Sequence, residues 1–164
     1  MKEFLPFHRS DVGEEEVSEV VEVLRSGWLT TGPKVREFER EFAAMVGAEH
    51  AVAVNSCTAA LHLALEAAGV GEGDEVLVPT MTFAATAEVV TYFKARPVLI
   101  DCMPDTLNLN TDRIQQAITD KTKAIIPVHF AGHPCDLRPI HAIAQKHNLH
   151  VIEDAAHALP ARYH

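Results

Sequence analysis

A doubly wound, mostly parallel α/β sheet preceded by a helical N-terminal arm is the fold that this sequence predicts. Three observations predict it. From Ala51 onward, short apolar, β-branched runs alternate with stretches of helical spacing. Each connection is long enough to carry a crossover helix, so the strands pair in parallel through right-handed βαβ units. Before Ala51, the apolar residues recur only at helical spacing.

The elements run in order. Val17, Val20, Val21 and Leu24 place a helix over Glu14–Arg25, with Asp11 as the cap and Gly27 as the stop. Trp28 to Pro33 is a polar loop punctuated by Gly32 and Pro33. A second helix points Val35, Phe38, Phe42, Ala43 and Val46 inward and ends at Gly47. Strands are expected at Ala51–Val54, Glu75–Val78, Pro97–Ile100, Ala124–Val128 and His150–Ile152. Helices between them are expected near Thr58–Ala68, Ala84–Phe93, Asp112–Ile118 and Leu137–His147. Residues 1–47 thus form the arm, and residues 48–164 form the α/β part, with no internal repeat or linker.

Composition narrows the function. With 48% hydrophobic and 23% charged residues, the chain is globular rather than disordered. Its 164 residues suffice for one ordinary domain. The formal charge is −9, from 14 basic and 23 acidic side chains, and no basic cluster offsets it locally, so a nucleic-acid partner is not expected. No apolar run approaches the ~20 residues that span a bilayer, and MKEFLPFHRSD lacks the apolar core of a signal peptide. Cys57, Cys102 and Cys135 show no metal-type spacing and suit a reducing compartment, which gives a cytoplasmic expectation. His129 and His133 are four apart, but Gly132 and Pro134 break any helix that would align them, so no metal site is expected.

Chemistry concentrates at strand ends, where open α/β sheets bind ligands. Asn55 to Ala60 leaves one strand and opens a helix whose first N–H groups lack intrahelical partners. They suit an anion; plain helix capping by Ser56 or Thr58 is the simpler alternative. The turn has no glycine, so it is neither a Walker loop nor a dinucleotide fingerprint. Phe83, at the next strand end, can cover a planar ring or act as a hydrophobic staple. Asp154, after Val151-Ile152-Glu153, is a carboxylate for a site or a cap for the segment after the strand. A flat, phosphorylated, nitrogen-containing ring meets all three groups, and pyridoxal 5′-phosphate is such a molecule.

Five segments in one order then carry a resemblance: GWLTTGPKVREFEREFA, NSCTAALHLAL, PTMTFAAT, PVHFAGHPCDL and VIEDAAHA. Together they resemble the DegT/DnrJ/StrS family of nucleotide-sugar aminotransferases, pyridoxal-phosphate enzymes of the aspartate-aminotransferase fold (fold type I). The resemblance spans essentially all 164 residues. It implies amino transfer from an amino acid, glutamate by expectation, to the keto sugar of a nucleotide-sugar, in a cytoplasmic homodimer. It also implies that the backbone around Cys57, Thr58 and Ala59 holds the phosphate, that Phe83 stacks on the pyridine ring and that Asp154 pairs with its nitrogen. His157 stands where the family often has glutamine against the phenolic oxygen. The Trp28–Pro33 loop, with Thr30 and Thr31, reaches toward substrate or a neighbouring subunit, or makes a structural arm contact.

One departure is large. Family members run to more than twice this length, and their Schiff-base lysine lies downstream of the EDAA segment. None of Lys2, Lys34, Lys94, Lys121, Lys123 and Lys146 matches it; solvated surface is the expectation for each. The chain therefore reads as the N-terminal part of an incomplete cofactor domain, inactive alone, whose Ala51–Val54 strand has no lateral partner. The resemblance leaves two alternatives open: the family's dehydratase branch, where histidine replaces the lysine, and a non-catalytic binding or regulatory fragment that pairs with a separate C-terminal half. An unrelated flavodoxin-like binding module would not explain five ordered motifs.

Overall fold

A computed structural model describes residues 4–6 and 9–163 of the chain; Lys2 lies outside them. The chain divides into two compact units, Met1–Ala53 and Val54–His164.

The first unit holds two helices. α1 (Glu14–Ser26) is capped at Gly13, not at Asp11: the Gly13 N–H donates to Glu16 Oε2 at 2.6 Å, the carboxylate half of a capping box, and Asp11 stands two residues too early to take part. It ends at Gly27, whose φ of 72° is the left-handed conformation that stops a helix at little cost to glycine. α2 (Pro33–Val46) begins with proline, whose missing N–H is no loss in a first turn. Of the side chains expected inward on α2, only Ala43 is buried; Phe38 and Val46 remain exposed. Between the helices the Trp28 indole N–H donates to the Thr31 carbonyl at 2.9 Å, and the ring lies so close to Gly32 that a Cβ there would come within 2.0 Å of it.

Ala51–Val54 is not a strand. Among the described residues no ladder partner reaches it; Val52 is 77% exposed, and the Ala53 N–H goes to Glu39 Oε1 of α2 at 2.8 Å. A short apolar run alone does not make a strand when no neighbouring backbone supplies hydrogen bonds.

In the second unit, α3 (Cys57–Ala67) leads to β1 (Glu75–Pro79), α4 (Ala85–Thr91), β2 (Arg96–Ile100), α5 (Thr111–Ala117), β3 (Thr122–Ile125), α6 (Leu137–His147) and β4 (His150–Val151). The sheet order is β2-β1-β3-β4, and every pair is parallel. β1 is central and buried along its length, so its side chains feed two cores in alternation. Val76 and Val78 pack with Leu61 and Leu65 of α3 and with Val89 and Val90 of α4. Leu77 faces the other way, with Ile114 of α5 and with Ile140 and Ala144 of α6. Helices thus cover both faces, which is the doubly wound arrangement.

β3 and β4 are shorter than expected because Pro127 has no N–H to donate to the ladder. The two chain segments nevertheless stay together past it. Ile152 N–H donates to the Ile125 carbonyl at 3.0 Å, Asp154 N–H to the Pro127 carbonyl at 2.9 Å, and His129 N–H to the Asp154 carbonyl at 3.1 Å. Asp154 is therefore held on both sides by main chain.

Candidate functional site

The chain leaves β1 for β2 on one side and later returns to β3 on the other. The carboxyl ends of β1 and β3 hence flank a topological switch point, the crevice where open α/β sheets take ligands. A small recess of about 60 Å³ lies there. Thr82 and Phe83 line it from beyond β1, Val128, His129 and Phe130 from beyond β3, and Asp154, Ala156 and His157 from beyond β4.

Asp154 is only 7% exposed, yet its carboxylate is well supplied with donors. Oδ1 accepts the Ala156 N–H at 3.2 Å and faces the Cys57 thiol at 3.7 Å. Oδ2 accepts the Thr86 hydroxyl at 3.2 Å, and Thr82 Oγ1 lies 2.8 Å from Thr86 Oγ1. Burial chiefly, with the Asp154 charge and hydrogen bond adding to it, pushes the Cys57 thiol above its ordinary value. Cys57 is consequently a protonated donor to the carboxylate at neutral pH rather than a nucleophilic thiolate.

Cys57 stands there because it opens α3. Ser56 caps that helix: its Oγ takes the Ala59 N–H at 3.1 Å, and its carbonyl takes the Ala60 N–H at 3.0 Å. Of the first-turn N–H groups, those of Cys57 and Thr58 are left for an outside acceptor, at the positive end of an 11-residue helix.

Next to Asp154, Glu153 turns the other way. Its carboxylate lies 3.0 Å from His129 Nε2, while His129 Nδ1 accepts the Cys135 N–H at 3.1 Å. That acceptor role puts the ring proton on Nε2, where it donates to Glu153 and holds the carboxyl below its usual range. His157 is kept near by Gly132, whose φ is +84° and whose missing Cβ would meet the His157 carbonyl at 2.9 Å.

Of the residues expected at the site, Cys57, Phe83, Asp154 and His157 come together, with Thr58 and Ala59 on the same helical turn as Cys57. Thr30 and Thr31 belong to the first unit. Sequence reasoning missed Thr82, Thr86, His129 and Glu153. Thr82 and Thr86 carried a signal, two hydroxyls one helical turn apart at a strand end; the His129–Glu153 pair carried none, since 24 residues separate them.

A larger cavity of about 460 Å³ lies beside the Met103–Asp112 segment. Two of its polar side chains are paired within the chain: the Tyr163 hydroxyl donates to Asp136, and the Asn108 amide donates to the His133 and Pro134 carbonyls. Among the described residues, no three His, Cys, Asp or Glu side chains gather as a metal would need, and no helix is long and apolar enough to cross a membrane.

The chain is 54% identical over 160 residues to the spore coat polysaccharide biosynthesis protein SpsC of Bacillus subtilis, a match that covers 98% of this chain and 41% of SpsC. Its fold matches the aminotransferase from Psychrobacter cryohalolentis with a TM-score of 0.92 at 42% identity, over 96% of this chain and 41% of that one. It also matches the putative sugar aminotransferase Spr1654 from Streptococcus pneumoniae in its PMP form, with a TM-score of 0.89 at 42% identity, over 94% of this chain and 43% of that one. The chain thus spans about two-fifths of the length of these relatives. Residues 10–164 match the model of one family, and the chain belongs to it: the DegT/DnrJ/EryC1/StrS aminotransferase family.

Proposed function

We propose that this chain carries the ring-side half of a pyridoxal-phosphate site in an enzyme that transfers an amino group to the keto sugar of a nucleotide-sugar. The observation that carries the reading is the buried Asp154 carboxylate at the switch point, with Phe83 and His157 on the same recess and the free N–H groups of α3 beside it. The residues fit the cofactor by their chemistry: an anion site for its phosphate, an exposed aromatic face and a buried, hydrogen-bonded carboxylate.

Pyridoxal phosphate, when bound, supplies an electron sink for a carbanion on the amino-bearing carbon. The Cys57 and Thr58 N–H groups bind its phosphate, and Ala59 shapes the same turn. Phe83 lies against the ring and excludes water from that face. Asp154 keeps the ring nitrogen protonated, which makes the sink effective. His157 donates to the phenolic oxygen. Thr30 and Thr31 contact substrate or a neighbouring subunit of a homodimer, and glutamate serves as amino donor. Residues 1–47 act as the arm, residues 48–164 belong to the cofactor domain, and the enzyme works in the cytoplasm.

On this reading the lysine that carries the cofactor is not among the described lysines. Lys94 precedes β2, and Lys121 and Lys123 lie at the start of β3, the end of the sheet opposite Asp154. Lys146 sits in the last turn of α6, and Lys34 pairs with Glu19 and Glu37 on the helices of the first unit. Borohydride treatment in the presence of pyridoxal phosphate tests this. No lysine of the 164-residue chain should be labelled stoichiometrically, and the chain alone should not transaminate. Specific labelling of one of its lysines together with turnover would contradict the reading.

A further inference from the structure

Thr86 is buried completely, yet it is polar and sits beside a carboxylate rather than on a surface. Its hydroxyl has one hydrogen and lies 3.2 Å from Asp154 Oδ2 and 2.8 Å from Thr82 Oγ1. The Thr86 hydroxyl donates its one hydrogen to Asp154 Oδ2, so Thr82 must donate to Thr86. The chain of donors therefore has one direction, Thr82 to Thr86 to Asp154. On the other oxygen, the Ala156 N–H and the Cys57 thiol complete the set. Both oxygens are pinned, so the plane of the carboxylate is fixed toward the recess that Asp154 shares with Thr82 and Phe83.

We propose that Thr86, oriented by Thr82, is a positioning residue that holds the Asp154 carboxylate aimed at the ring nitrogen of the cofactor. The proposal rests on the cofactor reading above. It assigns to the PTMTFAAT segment two jobs one helical turn apart: Phe83 for the face of the ring, and the Thr82–Thr86 pair for the group at its edge.

A packing role and a hydroxyl role rank substitutions in opposite order. Thr86→Val keeps the shape and removes the donor, whereas Thr86→Ser keeps the donor and leaves a methyl-sized void. If packing mattered, serine would be the worse change. Thr86→Ala against Thr86→Ser makes the same comparison between two small side chains, should the valine variant not fold.

The test uses the protein at its full encoded length, loaded with ring-nitrogen-15 pyridoxamine phosphate. It reads the nitrogen shift by NMR and the dissociation constant by titration. The wild type should show a protonated ring nitrogen, and Asp154→Asn should lose it. Thr86→Ser should stay within about twofold of wild type, while Thr86→Val and Thr86→Ala should bind about tenfold or more weakly, on the scale of a lost hydrogen bond to a charge. Their nitrogen signal should shift toward the unprotonated value. Thr82→Val, which leaves the Thr86 donor in place, should fall between. Valine and alanine variants with wild-type affinity and nitrogen shift, or a serine variant worse than either, would overturn the proposal. A wild type that binds no cofactor, or whose ring nitrogen is unprotonated, would instead overturn the cofactor reading, and the proposal with it.

Discussion

Cys57 Sγ and Asp154 Oδ1 lie 3.7 Å apart, although 97 residues separate them in the chain. Burial and the neighbouring carboxylate both raise the thiol, so its protonated form prevails at neutral pH. Replacing Asp154 by asparagine removes the charge but not the burial. Alkylation of Cys57 by iodoacetamide, followed by peptide mapping at about pH 7–8, should then run faster, because the thiolate fraction rises once the neighbouring charge is gone. An unchanged rate would mean that the two groups do not meet. At this scale the sequence was partly legible. Asp154 and Phe83 stand at the ends of recognisable strands, so their placement followed from the pattern. The Thr82–Thr86 spacing was visible, but what the pair serves was not. The partner of Thr86 comes from a strand end 68 residues later.

The two chain segments beyond β3 and β4 illustrate what pattern alone leaves open among the elements. Pro127 shortens the ladder, yet alternate main-chain bonds carry the pairing on to Asp154. The His129–Glu153 pair clamps the same two segments from the side. Glu153 is held below its ordinary value of 4.5, first by the His129 hydrogen bond. A depressed carboxyl stabilises the fold above its unfolded pKa and loses that contribution as pH falls through the folded value. The melting midpoint should therefore drop more steeply below about pH 4.5 in the wild type than in Glu153→Gln, which has no proton to gain there. Parallel acid limbs would show that the pair does not couple to folding. Helix positions were the most legible: Leu137–His147 was expected and found, and the remaining helices moved by a few residues at most. Ala51–Val54 was expected as a strand and is not one. Its apolar content was plain, but strand formation depends on a neighbour that no local pattern announces.

Across the whole molecule, two cores on either face of a buried central strand account for the doubly wound fold, and the alternation of Val76, Leu77 and Val78 made it readable. The surface is less settled. Val52, Leu63, Phe83 and Leu159 are all more than half exposed, β2 and β4 are open edges of the sheet, and the chain matches only about two-fifths of its relatives. Exposed apolar side chains and unpaired strand edges favour association. The 164-residue chain on its own should melt broadly and sediment as oligomers; a sharp two-state melt from a clean monomer would contradict that expectation.

If the turn of α3, the Thr82–Thr86 segment and Asp154 form one cofactor site, all three should respond to the cofactor together. Hydrogen–deuterium exchange on the protein at its full encoded length, with and without pyridoxamine phosphate, reads that response. Protection should appear jointly at residues 56–60, 82–86 and 153–157, and Asp154→Asn should weaken it at all three. Protection confined to the cavity beside Met103 and Tyr163, or identical protection in the Asp154 variant, would refute the shared site.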